Sequence, residues 1–454
     1  MSSDVKLPAE TRLKRSLKLS DLILYGIIVI QPVAPMSVFG VLSEKGRGHV
    51  VTMVLIAMIG MLFTAISYGR MARIYPSAGS AFTYVGQEIN PTLGYITGWS
   101  MVMDYMLNPM ICIVWISQQA FVFAPGVAYW IWAIVFAGMF TFLNIQGVKT
   151  SARFNTALAA FMGVVIAIFF VVAARYIFGH PHDTTGFFLR PFFDPELFNM
   201  KAVLGGTSIA VLTYIGFDGI STLSEETENP RRNIMLATVF TCLVIGILSA
   251  LQVYAAQLVW PATQPFPNVD TAFTHIAGQA WKPMFAIVGI TLLIANFGSG
   301  MGAQLGAARL LYGMGRSGAI PKSFFGAVDP KRHVPRNNVI FVAAIALIGA
   351  LLVSVGVFSY GLGAEMLNFG ALIAFMGVNL AAFLRYFVRG EKKFSNFFPP
   401  MAGFLICLIL WLNLSAKALI VGTIWMIVGI AFGAWKTNGF RGALINFELP
   451  PEDA

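Results

Sequence analysis

Two aspartates carry most of the chemistry this sequence offers. Asp218 sits in TYIGFDGISTLSEETENPRR, from Thr213 to Arg232, and Asp104 in GWSMVMDYMLNP, from Gly98. Both stretches are otherwise apolar enough to cross lipid, where an ionisable group costs roughly 3 kcal/mol or more. Each glycine removes about 1 kcal/mol of helix stability as well, so Gly216, Asp218 and Gly219 make a poor continuous helix. Irregular backbone at membrane depth is tolerated where it lines a cavity, because freed amide and carbonyl groups then hold a polar solute. Gly216 to Gly219 therefore reads as a helix break at a binding site. The other reading of the same residues is a kinked helix whose aspartate is neutralised by a neighbour. Asp104 allows a similar pair: contact with a solute, or a carboxylate bonded to backbone that Pro109 sets free. Tyr105 could stack on a cation or simply pack. The run NFGSGMGAQLGAARLL places Asn296 and Ser299 beside glycines 298, 300, 302 and 306, where a helix or a solute can come close. Beyond the break, Glu225, Glu226 and Glu228 meet Arg231 and Arg232. They form a surface salt-bridge cluster, or Glu225 and Glu226 form a gate.

The elements that must position these residues are membrane spans. The chain has 454 residues, 57% of them hydrophobic and only 11% charged, against the ~25% charge typical of soluble proteins. At about 20 apolar residues per crossing, twelve spans are expected near 20–43, 48–72, 93–122, 129–147, 154–178, 201–226, 231–260, 282–311, 337–356, 361–388, 397–414 and 417–436. With the N-terminus in the cytoplasm, most of the 30 Lys and Arg fall on inner segments, as the positive-inside rule requires. Both termini are then cytoplasmic. Span 1 is interrupted by Pro32 and Pro35, which remove two amide donors and leave carbonyls in need of partners. Interruptions in spans 1 and 6, five apart, point to an inverted-repeat transporter. The expected organisation is an N-terminal segment 1–19, a first repeat 20–178, a second repeat 201–388, two appended spans 397–436 and a tail 437–454. Pro76 and Gly79 mark a turn or short interfacial segment after span 2, and Asn229 with Pro230 starts span 7 as N-cap and first helical residue. Glu365 is expected at the interface, facing water.

Several function classes are excluded. Basic residues are scattered between apolar runs, so the net charge of +10 reflects topology rather than nucleic-acid binding. Cys112, Cys242 and Cys407 lie singly in apolar runs and make neither a disulfide framework nor a metal cluster. His180, His182 and Asp183 share one outer loop, as metal ligands or as solvated residues. The histidines at 49, 180, 182, 275 and 333 fall in or beside loops, and no nucleophile lies at helical spacing from a base, so no enzyme and no cofactor are expected. No cleavable signal peptide is expected, and the first span reads as an uncleaved anchor.

GFDGISTLSEE from Gly216 resembles the sixth-helix signature of the amino acid, polyamine and organocation transporters. The resemblance extends through YPSAGSAFTYV, GWSMVMDY, RLLYGMGRSGAIPKSFF and LNFGALIAF, and over nearly the whole chain is most similar to bacterial putrescine importers. It implies an all-α, five-plus-five inverted-repeat fold of the LeuT-like kind, with discontinuous helices 1 and 6. It implies a substrate cradle at Gln31, Pro32, Val33, Ala34, Ser37, Tyr105, Tyr214, Gly216, Phe217, Asp218, Gly219, Asn296 and Ser299. From the residues themselves, Asp104 or Asp218 is expected to answer an ammonium. Two positions depart from the pattern. Ser37 stands where the putrescine importers carry an aspartate, and Met162 where many relatives carry a lysine that replaces a sodium ion. The expected function is a permease importing a small amine, polyamine or amino acid across the cytoplasmic membrane by alternating access. H+ or Na+ remain candidate coupling ions and membrane lipid is the surrounding partner. The alternatives are a neutral or aromatic amino acid transporter and, from another class, a transporter-like sensor or channel.

Overall fold

The computed structural model describes residues 17–75, 80–147, 152–181, 186–316, 320–332 and 334–440, without the side chains of 152–155, Thr222, Glu225, Glu226 and Arg316. The helices are, in order, α1 (Leu19–Ile30), α2 (Ala34–Lys45), α3 (Val50–Ile74), α4 (Ser80–Glu88), α5 (Pro91–Phe123), α6 (Tyr129–Ile145), α7 (Ala152–Gly179) and α8 (Met200–Ala210). They continue as α9 (Pro230–Val259), α10 (Ala272–Ala280), α11 (Met284–Arg316), α12 (Lys322–Phe325), α13 (Arg336–Ser354), α14 (Tyr360–Phe383), α15 (Phe394–Leu412) and α16 (Ala416–Lys436). Among the described residues ten helices are long and apolar enough to cross a membrane, and the bent pair α1 and α2 makes eleven. At 17 residues α6 is apolar but shorter. Large apolar side chains such as Phe142, Val171, Phe178, Ile420 and Ile424 are exposed on these helices, which a water-facing surface does not tolerate in such number and a lipid-facing one requires.

Local sequence sets the ends. Asn90, Asn199, Ser359 and Ser415 accept the backbone N–H three residues on, capping α5, α8, α14 and α16, and so satisfy one of the orphan donors at each helix start. Asn229 departs from expectation. It stands at the N-cap of α9 with Pro230 following, yet its φ is 47° and its side chain caps nothing. Its carbonyl instead accepts from Arg232 and Asn233. The bundle interior is built by α3 on α9 and by α5 on both α11 and α14.

Two clusters of charge tie the bundle at opposite ends of α14. Near its start, Lys45 Nζ lies 3.0 Å from Glu365 Oε1, and the Ser415 amide donates to Glu365 Oε2 at 3.2 Å. Glu365 is 3% exposed, which corrects the expectation that it faces water: its position within the first turns of α14 puts it beside the end of α2, whose lysine satisfies it. Near the other end, Glu88 is 1% exposed. It accepts from Tyr75 at 2.9 Å and from Arg389 at 2.8 Å, with Arg385 at 3.6 Å. Arg385 sits on a single π turn, Leu384–Val388. Burial holds the Tyr75 hydroxyl up at about 12, with its bond to Glu88 adding to the shift.

The short helix α10 was not foreseen from the sequence. The loop before it rests on α2, where a Cβ on Gly40 would come 2.0 Å from the Val269 carbonyl. Burial pushes the Asp270 carboxyl up to about 6, and Glu44 on α2 pushes it the same way. The folded protein therefore holds that proton more tightly than the unfolded chain, and stability falls as pH rises from about 4 to about 6. Asp270→Asn is expected to remove that slope and to raise stability at pH 7.5 by on the order of 2 kcal/mol, measured as thermal midpoints of both proteins across this range. Equal slopes would contradict it.

Candidate functional site

Two membrane-crossing segments are broken, and the breaks touch. The first runs through Gln31, Pro32 and Val33 between α1 and α2, whose axes bend by 44°. Pro32 supplies no amide, and Gln31 takes φ 67°, ψ 121°, a left-handed backbone that costs a non-glycine residue energy. The second begins earlier than Gly216. The α-helix stops at Ala210, a 3-10 turn covers Val211–Thr213, and after Gly216 the chain resumes as a 3-10 helix, Phe217–Glu226. Gly216 has φ 120°, a conformation for which only glycine lacks a steric penalty. A Cβ there would lie 3.0 Å from Val29 and 3.6 Å from the Ile30 amide nitrogen, so the second break abuts the residues leading into the first.

The groups freed at the first break find distant partners. Gln31 Nε2 donates to the Ala295 carbonyl of α11 at 2.6 Å, and Gln252 Nε2 of α9 donates to the Pro32 carbonyl at 2.9 Å. Val33 and Ala34 begin α2, with the Ala34 amide bonded back to the Gln31 carbonyl. One turn on, Ser37 Oγ accepts from Asn296 Nδ2 at 3.0 Å and its carbonyl from the Trp115 indole at 3.1 Å. Sequence reasoning missed Gln252 and Trp115. A glutamine in the middle of the apolar run of α9 was the available signal.

At the second break Asp218 Oδ1 accepts from the Gly216 amide at 3.2 Å, and its carbonyl accepts from Ser221 at 2.6 Å. Ser221 in turn bonds Ser80 of α4 at 2.8 Å. Asp104 and Asp218 are both buried, and each acts electrostatically on Tyr105, and Asp218 on Asp104. Neither has a cationic partner among the described residues. Buried charges are ordinarily paired, and here no described side chain supplies the counter-charge. Tyr105 lies across from α11, 3.6 Å from where a Cβ on Gly306 would be. Gly219 faces open space but for Tyr25, whose hydroxyl would lie 3.9 Å from an added Cβ.

The remaining expected site residues divide. Tyr214 is fully buried, and its hydroxyl is committed to the Val54 carbonyl of α3 at 2.8 Å. Phe217 is fully buried in an aromatic cluster with Tyr68 and Phe375, centroids 5.6 and 5.4 Å away. Ser299 lies near the Cys112 thiol, which itself donates to Asn108 Oδ1 at 3.5 Å. The side chains of Glu225 and Glu226 lie outside the described residues, as do His182 and Asp183. His180 bonds the Tyr176 carbonyl at 2.8 Å. A surface groove of about 540 Å³, lined by Ile320, Lys322, Phe432 and Trp435, contains no carboxylate and no broken helix. The chemistry favours the breaks.

The amino acid permease family matches residues 34–447. The chain is 34% identical over 450 residues to the low-affinity putrescine importer PlaP of Escherichia coli K12, covering 97% of each. It is 26% identical to the branched-chain amino acid permease BcaP of Bacillus subtilis, covering 93% of this chain and 92% of that one. A crystal structure of a mutant manganese transporter from Eremococcus coleocola shares the fold with a TM-score of 0.53 at 11% identity, over 96% of this chain and 97% of that one. With this match over most of its length and a membrane-spanning bundle, the chain belongs to the amino acid permease family and is a multi-pass membrane transporter, not an enzyme.

Proposed function

We propose that this permease is a secondary transporter that imports a small amine by alternating access, with the solute held between the two breaks. The observation that carries this reading is the buried pair Asp104 and Asp218, left without a cation beside the second break. A protonated amine supplies the missing charge. The likeness to a putrescine importer supports the same reading. In this proposal the chain has twelve spans in the cytoplasmic membrane with both termini inside. Spans within 20–178 and 201–388 form two inverted repeats, and 397–436 is appended. Met162, 2% exposed, offers no ammonium, so the proposal includes no lysine-borne proton.

A second reading, an amino acid substrate, is favoured by the neutral pair Ser37 and Asn296 at the first break and by the likeness to a branched-chain permease. Thermal stabilisation of the purified protein separates the two. A ligand at 100 times its dissociation constant stabilises by roughly 2.7 kcal/mol, and putrescine is expected to do so where leucine does not. The reverse result would reject the amine reading. Saturable counterflow in liposomes is expected as well, since a channel does not exchange solute and a sensor does not move it.

Ser37 tunes the same site. Ser37→Asp places at the first break a carboxylate that the Asn296 amide orients and that can accept from the second ammonium of a diamine, a charge-assisted bond roughly twice as strong as a neutral one. The variant is expected to bind putrescine about tenfold more tightly and leucine no better, read by competition. An unchanged ratio would remove Ser37 from the diamine path.

A further inference from the structure

We propose that Asp104, Asp218 and the hydroxyl of Tyr68 form one receptor for a primary ammonium group, with one acceptor for each of its three N–H donors. This rests on the amine reading above and names the chemical class that the site selects.

Tyr68 lies in α3 and is fully buried, yet its hydroxyl has no hydrogen-bond partner among the described residues. A buried hydroxyl is normally paired, and one left alone calls for a specific reason. Its surroundings supply one. Asp218 and Asp104 act electrostatically on the Tyr68 hydroxyl, as do Tyr84 and Tyr105, and Phe217, the chain neighbour of Asp218, packs its ring 5.6 Å from that of Tyr68. The ring is fixed by edge-on packing against Phe217, Phe375 and Tyr84, at 5.6, 5.9 and 6.1 Å. The hydroxyl cannot readily turn elsewhere.

The valence count then discriminates among cations. A primary ammonium has three N–H donors and no acceptor, ionised carboxylates only accept, and a tyrosine oxygen can accept too. Two carboxylates and one phenol oxygen meet that demand. A quaternary ammonium carries the same charge but no N–H, so it leaves Tyr68 unpaired and gains only from charge and from the aromatic faces. A zwitterion offers the same three N–H donors but adds a carboxylate, which the two acids repel. The preference expected is therefore for N–H groups as well as for charge.

The test uses purified full-length protein and thermal stabilisation by n-butylamine, its N,N,N-trimethyl analogue, putrescine, sodium and leucine. In the wild type the trimethyl compound is expected to bind about 100-fold more weakly than n-butylamine, since two or more charge-assisted bonds are lost. Tyr68→Phe is expected to shrink that ratio by about tenfold, and to leave the thermal midpoint of the unliganded protein unchanged or higher, because no described residue bonds the hydroxyl. Equal binding of the trimethyl compound or of sodium would overturn the inference while the amine reading stands. So would a Tyr68→Phe variant that weakens both amines by one factor or lowers the unliganded midpoint. Stabilisation by leucine and by no amine would overturn both.

Discussion

Gly216→Ala is expected to reduce uptake tenfold to a hundredfold with little change in the amount of folded protein. The added methyl would sit 3.0 Å from Val29 and 3.3 Å from Ile30, both flexible side-chain contacts that can give by a few tenths of an ångström. The backbone cannot. At φ 120° a residue with a Cβ is strained by roughly 1–3 kcal/mol, and the chain relieves that strain by moving the second break away from the first. Since 1.4 kcal/mol corresponds to about tenfold, even the lower half of that range is visible in transport. Gly219→Ala separates backbone from bulk: its φ is ordinary, and a Cβ there meets only the Tyr25 hydroxyl at 3.9 Å. Uptake assays on both variants should show loss at 216 and near-normal rates at 219. Equal losses would mean that size rather than conformation matters at this break.

The second large effect concerns the clamp between α4 and α14, and its size depends on which partner is removed. Glu88 is the buried member, whereas the side chains of Arg385 and Arg389 are 45% and 53% exposed. Removing both arginines leaves a buried carboxylate with Tyr75 alone, and an uncompensated buried charge costs roughly 3–5 kcal/mol. Glu88→Gln instead frees two arginines that water already reaches, at a cost of about 1 kcal/mol. Thermal unfolding should therefore show the Arg385→Ala, Arg389→Ala double variant well below Glu88→Gln. The reverse order would show that the clamp acts through the glutamate's packing. Because α4 also bonds the second break through Ser80 and Ser221, loosening it is expected to change transport as well as stability.

Much of the architecture was legible because it rests on local chemistry. Apolar length located the long helices to within a few residues. Two prolines marked the first break, and Gly216 beside Asp218 marked the second, since each residue type is costly in a continuous lipid-crossing helix. What escaped notice depends on partners far apart in the chain. Gln252 bonds the Pro32 carbonyl across 220 residues, and Glu365 pairs with Lys45 across 320. No spacing rule links such residues, so Glu365 reads as a water-facing acid until α2 is placed beside it. Tyr68 escaped for another reason: an aromatic residue in an apolar run reads as core, and only an unpartnered hydroxyl together with the nearby charge of Asp104 and Asp218 sets it apart. The 3-10 form of Phe217–Glu226 was likewise hidden, because no residue type there demands a tighter turn than the α-helix.

The central claim, that the solute sits between the two breaks, is tested most directly by protection of a cysteine placed there. At Gly219, next to Asp218, an added Cβ meets only the Tyr25 hydroxyl at 3.9 Å, which admits Gly219→Cys, and Cys112, Cys242 and Cys407 are buried, which keeps background alkylation low. Putrescine is expected to slow alkylation of this cysteine at least tenfold, with half-protection at the concentration that half-saturates uptake. Alkylation at an unchanged rate while putrescine is being transported would contradict the account.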